Sequence, residues 1–306
     1  MHSSASTDAR HAAIAANNRI GIAAMIGAMG CFIVNDALIK YVSQSMASGQ
    51  LLFLRGIAAS LLVLLAAHAL GATRHLARVT ERPVLLRAGV DGIGSVLYVV
   101  SVMHLPLANA TSINMASPLF ITVLAAIFYG DAVGRARWIA IGVGFAGVLL
   151  IVRPQADGFN AFSLVCLVGT LLHSLRDLMT RRIHAGVPSI LITLTTIVAV
   201  MLVSAALSAT QVWQPIRAAD LALLGVAAAF MASGYFLVVT SMRRGEMSLI
   251  APFRYSALLF ALALGFVVWG DVPDAVAACG IVLLFASGVY IVRASRRARA
   301  ALPPLD

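Results

Sequence analysis

One pattern limits this chain more than any other: apolar runs of about 17 to 24 residues follow one another along its length, broken only by short polar gaps. A run of that length is what an α-helix needs to cross a hydrocarbon core about 30 Å thick. In such a medium the backbone amides must be satisfied within the segment itself. Ten runs can be marked, at 18–41, 50–70, 84–103, 107–128, 136–152, 160–180, 188–210, 218–241, 247–269 and 273–292. The predicted fold is an all-α membrane protein of ten transmembrane helices. Composition agrees, with 61% of residues hydrophobic and 11% charged, against roughly half and a quarter in soluble domains. The first 17 residues are polar and the first apolar run is too long for a signal-peptide core, so the first helix is expected to remain in the protein.

The formal charge of +10 does not make a nucleic-acid surface, because the arginines lie in gaps between spans and not on one folded face. Sixteen basic residues fall on one side of the expected bilayer and only Lys40, Arg153 and Arg217 on the other. Basic residues gather on the cytoplasmic side, which places both termini there. Cys31, Cys166 and Cys279 lie in apolar runs without metal-ligand spacing and are expected to be buried structural thiols. Glycine runs at 89–94 and 142–147 suit close helix packing. A phosphate-binding Walker loop is excluded, since the one lysine, Lys40, has no glycine before it. No cofactor is expected.

The sequence also repeats itself. A shift of 140 positions, without a gap, lays Leu119-Phe120 on Leu259-Phe260, Gly130-Asp131 on Gly270-Asp271, Phe145-Ala146 on Phe285-Ala286 and Ile151-Val152-Arg153 on Ile291-Val292-Arg293. Five spans per copy is an odd number, so the second copy must enter the membrane upside down. The expected organisation is a cytoplasmic tail at 1–17, repeats at 18–153 and 154–293, and a second cytoplasmic tail at 294–306. Inverted repeats are a hallmark of secondary transporters, whose substrate sites lie near the midplane between the halves.

Polar groups inside spans are costly, roughly 3 kcal/mol for a charge near the centre, and normally face a cavity or a partner. Asp36 and Lys40 are one helical turn apart, close enough to pair, and Arg55 lies at similar depth in the next span. An Asp36/Arg55 contact is expected, either as a static bridge or as an outer gate. The repeat places Asp177, followed by Arg181, at the opposite end beside Arg176. Asp91 and Arg254 are at matched depth and are expected to pair, since a buried charge without a partner is uncompensated. Pro118 and Pro252 free carbonyls in one span of each half, as a kink or a cavity wall would require. Asn114, Tyr98 and Tyr255 are expected cavity groups, and His173 is either a proton relay or a satisfied core residue.

Asn35-Asp36-Ala37-Leu38-Ile39-Lys40, Phe53-Leu54-Arg55-Gly56, Ala116-Ser117-Pro118, and Pro252-Phe253-Arg254-Tyr255 through Gly270-Asp271-Val272-Pro273 together resemble the drug/metabolite transporter superfamily of the ten-helix EamA type. The likeness covers residues 18 to 293. It implies two inverted five-helix bundles around a central cavity, a multi-pass protein of the bacterial inner membrane, and alternating-access transport of a small metabolite. Gly-Asp stands after the fourth and ninth spans where the family often has Gly-Glu. The Asn-Asp and Pro-Phe-Arg-Tyr variants look like the subgroup that includes riboflavin and S-adenosylmethionine importers; export of amino acids or other metabolites stays open. The expected partners are a small-molecule substrate and the lipid bilayer, with no nucleic acid and with homodimer formation left open. A membrane-embedded transferase or hydrolase is the alternative from another class, and the short loops offer it little room. A non-transporting receptor or scaffold is a third reading.

Overall fold

The structure, a computed structural model, describes residues 2–130, 133–152, 160–180, 183–184, 186–244 and 250–300, with side chains from residue 17 onward except at 239, 242–244, 251–252, 292 and 295–300. Among these residues there is no strand. The helices are α1 (His2–Val42), α2 (Ser48–Ala69), α3 (Arg82–His104), α4 (Leu107–Asn114), α5 (Ser117–Tyr129), α6 (Arg135–Val152), α7 (Phe162–Thr180), α8 (Ser189–Ser208), α9 (Ala218–Arg244), α10 (Ser256–Trp269) and α11 (Ala275–Ala300). Two 3-10 turns, Ala72–Thr80 and Ala251–Tyr255, precede α3 and α10.

Among the described residues eight helical stretches are long and apolar enough to cross a bilayer, counting α4 and α5 as one stretch from Leu107 to Tyr129; Phe253–Trp269 and Ala275–Ile291 are shorter apolar helices. The helices run past several expected span limits. α1 begins at His2, because alanines dominate residues 12–16 and no Pro or Gly precedes them, while its apolar span, Asn17–Val42, starts where the first run was expected. In the ninth run, expected from 247, a 3-10 turn at Ala251–Tyr255 passes directly into α10 at Ser256; residues 247–249 lie outside the described residues.

Large apolar side chains face outward, among them Leu65 at 67%, Ile127 at 68% and Val267 at 76% exposed, as a surface solvated by lipid requires. Cys279 is also exposed, whereas Cys166 is buried and Cys31 half-buried. The expected burial of all three thiols therefore fails at Cys279, which lies on the exposed face near the start of α11.

Inside, small residues let the helices approach. A Cβ on Gly94 of α3 would sit 2.9 Å from the Cβ of Leu172 of α7; a Cβ on Gly234 of α9 would sit 2.7 Å from the Phe32 ring of α1. The second contact is the first shifted by 140 positions, forward for the glycine and back for its neighbour. The same holds where α6 crosses α11. A Cβ on Gly147 would stand 2.7 Å from the carbonyl oxygen of Gly280, and the corresponding contact is Ser287 donating to the Ala140 carbonyl. Gly130 and Gly270, also 140 apart, end α5 and α10 with φ of 67° and 70°, the left-handed state that glycine adopts without a Cβ penalty at helix C-termini. α5 begins at Ser117, two residues past the end of α4 at Asn114, and α10 begins at Ser256, directly after the 3-10 turn Ala251–Tyr255.

Candidate functional site

Two polar clusters lie in the interior. The first joins α1, α2 and α3 toward the end of the bundle where α1 stops. Asp36 accepts from the Tyr98 hydroxyl at 3.1 Å on Oδ2 and from the Asn35 amide at 2.9 Å on Oδ1. Arg55 reaches Asn35 Oδ1 at 3.3 Å through Nη1. The expected Asp36/Arg55 contact is thus interrupted: no ion pair within 4 Å joins them, and the Asn35 carboxamide lies between. All four residues are less than a tenth exposed. The Arg55 Nε is buried without a hydrogen-bond partner among the described residues.

Lys40 does not turn back to Asp36, whose oxygens already have donors. Its flexible stem carries the ammonium to the end of the bundle, where it donates to the Leu105 carbonyl at 2.6 Å and lies 3.6 Å from Asp271 Oδ2 and 4.8 Å from the centre of the Trp269 ring. Lys40 thereby ties α1 to the α3–α4 corner and to the end of α10. Gln50 of α2 reinforces this end by exchanging two 2.9 Å hydrogen bonds with the backbone of Gln214.

The second cluster is centred on Asp91 of α3, which is 1% exposed. Its partner is not Arg254. Arg176 of α7 donates to Oδ1 at 2.7 Å, Thr196 of α8 donates to Oδ2 at 3.1 Å, and Arg87, one turn earlier, stands 3.6 Å away. Arg176 also binds Asp177 at 3.0 Å. Arg87 in turn donates to Thr180 and Thr196 at 2.8 Å. Arg254 lies exposed on the 3-10 turn before α10, with no carboxylate within 4 Å among the described residues and with Asp177 in electrostatic reach. Depth alone matched Arg254 to Asp91; the rotation of α7 decides for Arg176.

His173 stands between the clusters. Its ring nitrogens lie 3.3 Å from Ser95 Oγ, 3.5 Å from Asn114 Oδ1 and 3.9 Å from Asp91 Oδ1, and its ring centre is 5.9 Å from that of Tyr98. Asn114 ends α4, and Pro118 occupies the first turn of α5, where its missing N–H costs no helical bond. Tyr98 and Asn114 therefore join the interior groups. Tyr255 does not: it is 4% exposed, its ring meets Phe285 edge-on at 5.1 Å, and its hydroxyl abuts Gly288 of α11. Pro252 opens the turn that carries Arg254. The partner expected for Asp177, Arg181, and the repeat counterpart of Asp271, Asp131, lie outside the described residues.

The apolar runs and charge depths do not point to Asn35 as a bridge, Arg87 and Thr196 as donors to the Asp91 cluster, or Asp271 as the mate of Lys40. The four-residue spacing of Arg87 and Asp91 was a usable signal; the other three depend on tertiary approach. Chemically, the interior offers charges and hydrogen bonds held out of water. Among the described residues no three His, Cys, Asp or Glu side chains group as a metal site.

Along 277 residues the chain is 24% identical to the pseudopaline exporter of Pseudomonas aeruginosa, covering 90% of this chain and 97% of that one. It is 23% identical over 283 residues to the S-adenosylmethionine uptake transporter of Rickettsia bellii, covering 91% and 95%. The riboflavin transporter of Rhizobium johnstonii shares 26% over 224 residues, covering 73% and 71%. A solved crystal structure superposes with a TM-score of 0.62 at 19% identity, covering 93% of this chain and 99% of its own, which shows a shared fold. These relatives are transporters and not enzymes, and the model of the EamA-like transporter family matches residues 19–153 and again 161–293; the chain is a multi-pass membrane protein belonging to that family.

Proposed function

We propose that this protein is a secondary transporter that carries a small organic metabolite across the bacterial inner membrane by alternating access. In this reading residues 18–153 and 154–293 are inverted five-helix repeats, with both termini and the tails at 1–17 and 294–306 in the cytoplasm. The repeated contacts of Gly94 with Leu172 and Gly234 with Phe32, and the matching helix ends at Gly130 and Gly270, support the repeat. The excess of basic residues supports the orientation, putting Lys40 and Asp271 at the outer end and Arg254 at the inner.

The observation that carries the transport reading is a line of charged and polar groups through an apolar bundle. It runs from Arg55, Asn35, Asp36 and Tyr98 through His173 to Asp91, Arg176 and Asp177. A packing scaffold gains nothing from such groups, because apolar residues of the same volume are often neutral or stabilising by about 1–4 kcal/mol in place of a buried pair. A solute that must leave water and be held midway needs them. The outer end is tied by Lys40, Asp271, Gln50 and Gln214, whereas Arg254 is exposed at the inner end, so the arrangement suits a state open to the cytoplasm. Asp36, Lys40, Arg55, Asp91, Tyr98, Asn114, Pro118, His173, Asp177, Pro252 and Arg254 are the substrate-binding or gating set. Tyr255 serves it from behind, as packing.

The relatives differ in cargo and in direction at similar identity, so the cargo is best found by direct assay. Purified protein screened by thermal shift against metabolites should give stabilising compounds. At least one of these should enter protein-containing vesicles faster than empty ones, with and without a proton gradient as the two arms. Flux of none of them would overturn the proposal, and turnover of a hit in detergent would favour an enzyme instead.

A further inference from the structure

Asn35 sits in a place where a side chain of its kind has an unusual set of neighbours. On one side is a guanidinium, Arg55, which is 5% exposed and, among the described residues, has no carboxylate within 4 Å and no partner for its buried Nε. On the other is a carboxylate, Asp36, which is 7% exposed and is held by neutral donors, the Tyr98 hydroxyl and Asn35 itself. A cation and an anion this close in a low-dielectric interior ordinarily meet, because each alone is costly. Here a neutral amide separates them, offering an acceptor to the arginine at 3.3 Å and a donor to the aspartate at 2.9 Å.

That arrangement has the form of a head-group site with a stand-in inside it. The oxygen and nitrogen of a carboxamide are about 2.3 Å apart, and the carboxylate oxygen and ammonium nitrogen of an α-amino acid about 2.7 Å. The two groups therefore span the same gap with acceptor and donor in the same order. We propose that Asn35 occupies the subsite of the substrate's head group, a carboxylate and an ammonium borne on one carbon, and that substrate enters by displacing it. The proposal rests on the transport reading for its purpose but not for its test. A carboxylate gives Arg55 the bidentate partner that its unpaired Nε lacks. An ammonium replaces the amide on Asp36 Oδ1 while Tyr98 keeps Oδ2. Charge-assisted hydrogen bonds are roughly twice as strong as neutral ones, which favours the zwitterion over the amide it displaces.

Glycine, which is this head group with nothing attached, is the probe. Full-length purified protein is titrated by thermal shift with glycine, glycinamide, methylamine and acetate up to about 100 mM, a range that detects millimolar affinity. Glycine should bind the native protein weakly, and Asn35→Ala should tighten it about tenfold, equivalent to about 1.4 kcal/mol, because the internal competitor is gone. Arg55→Lys should abolish the response, and the three controls should give none. Should Asn35→Ala fail to fold, Asn35→Ser takes its place, and the contrast of glycine with glycinamide in native protein still decides. Glycine affinity unchanged or weakened by loss of Asn35, glycinamide binding as well as glycine, or no glycine binding by any variant would each overturn the inference. Transport of some other solute alongside such a failure would leave the transporter reading standing, whereas tighter glycine binding without any flux would remove transport and keep the subsite.

Discussion

Asp91 and Arg254 show at the level of single residues what depth in a membrane can and cannot reveal. Asp91 is committed, with Arg176, Thr196 and Arg87 around it, so Asp91→Asn leaves Asp177 as the one carboxylate paired with Arg176 among the described residues. Breaking a buried pair costs about 3–5 kcal/mol, and a marked fall in melting temperature and in folded yield is expected. Pairing it with Arg176→Gln should recover part of that loss, and a melting curve of the double variant in detergent checks this. Arg254→Gln should behave in the opposite way, with native melting behaviour and loss of flux, since Arg254 is exposed and holds no ion pair in the described structure. The positions of in-span charges were legible because each interrupts an apolar run. Their partners were not, because Arg176 and Arg254 are both near the level of Asp91 and only the helix rotation chooses between them. Lys40 was similarly misleading, as the four-residue spacing to Asp36 is real but Tyr98 and Asn35 had already filled the carboxylate.

Among elements, the crossing of α6 and α11 makes the sharpest demand on sequence. Gly147 and Gly280 bring their backbones so close that a Cβ on either would fall 2.7 or 2.6 Å from the other's carbonyl oxygen. Gly147→Ala should therefore destabilise by about 1–3 kcal/mol, the usual cost of overpacking. Gly142 lies on the same helix with nothing within 4 Å of an added Cβ, and Gly142→Ala should leave stability unchanged or raise it by up to about 1 kcal/mol. Chemical-denaturation midpoints of the two variants test the contrast. The breaks before α5 and α10 were legible as Pro118 and Pro252. That each becomes a separate short helix was not, because proline fixes one φ angle and removes one donor but does not say whether the chain bends or restarts. The glycine pair at 130 and 270 was visible as a repeat, and its left-handed backbone explains why glycine, and not another small residue, stands at both.

For the whole molecule, most of the architecture was written in the apolar runs, since hydrocarbon admits little else. The contacts of Gly94 with Leu172 and of Gly234 with Phe32, related by a shift of 140 positions, support the proposed repeat, in which α3 on α7 and α9 on α1 are the paired contacts. The orientation proposed from the basic residues can be measured: a reporter active only in the cytoplasm should be active when fused to either terminus, and inactive when inserted after Gln214. One consequence belongs to Lys40. It is the single lysine in the sequence, and it is held where α1, the α3–α4 corner and the end of α10 converge. In the proposed transport cycle the ε-amine is thus a built-in chemical clock for that end. A membrane-impermeant acylating reagent should modify Lys40 slowly in the resting protein and faster after Asp271→Asn. The rate measured as cargo is added would time the opening of that end without any introduced label.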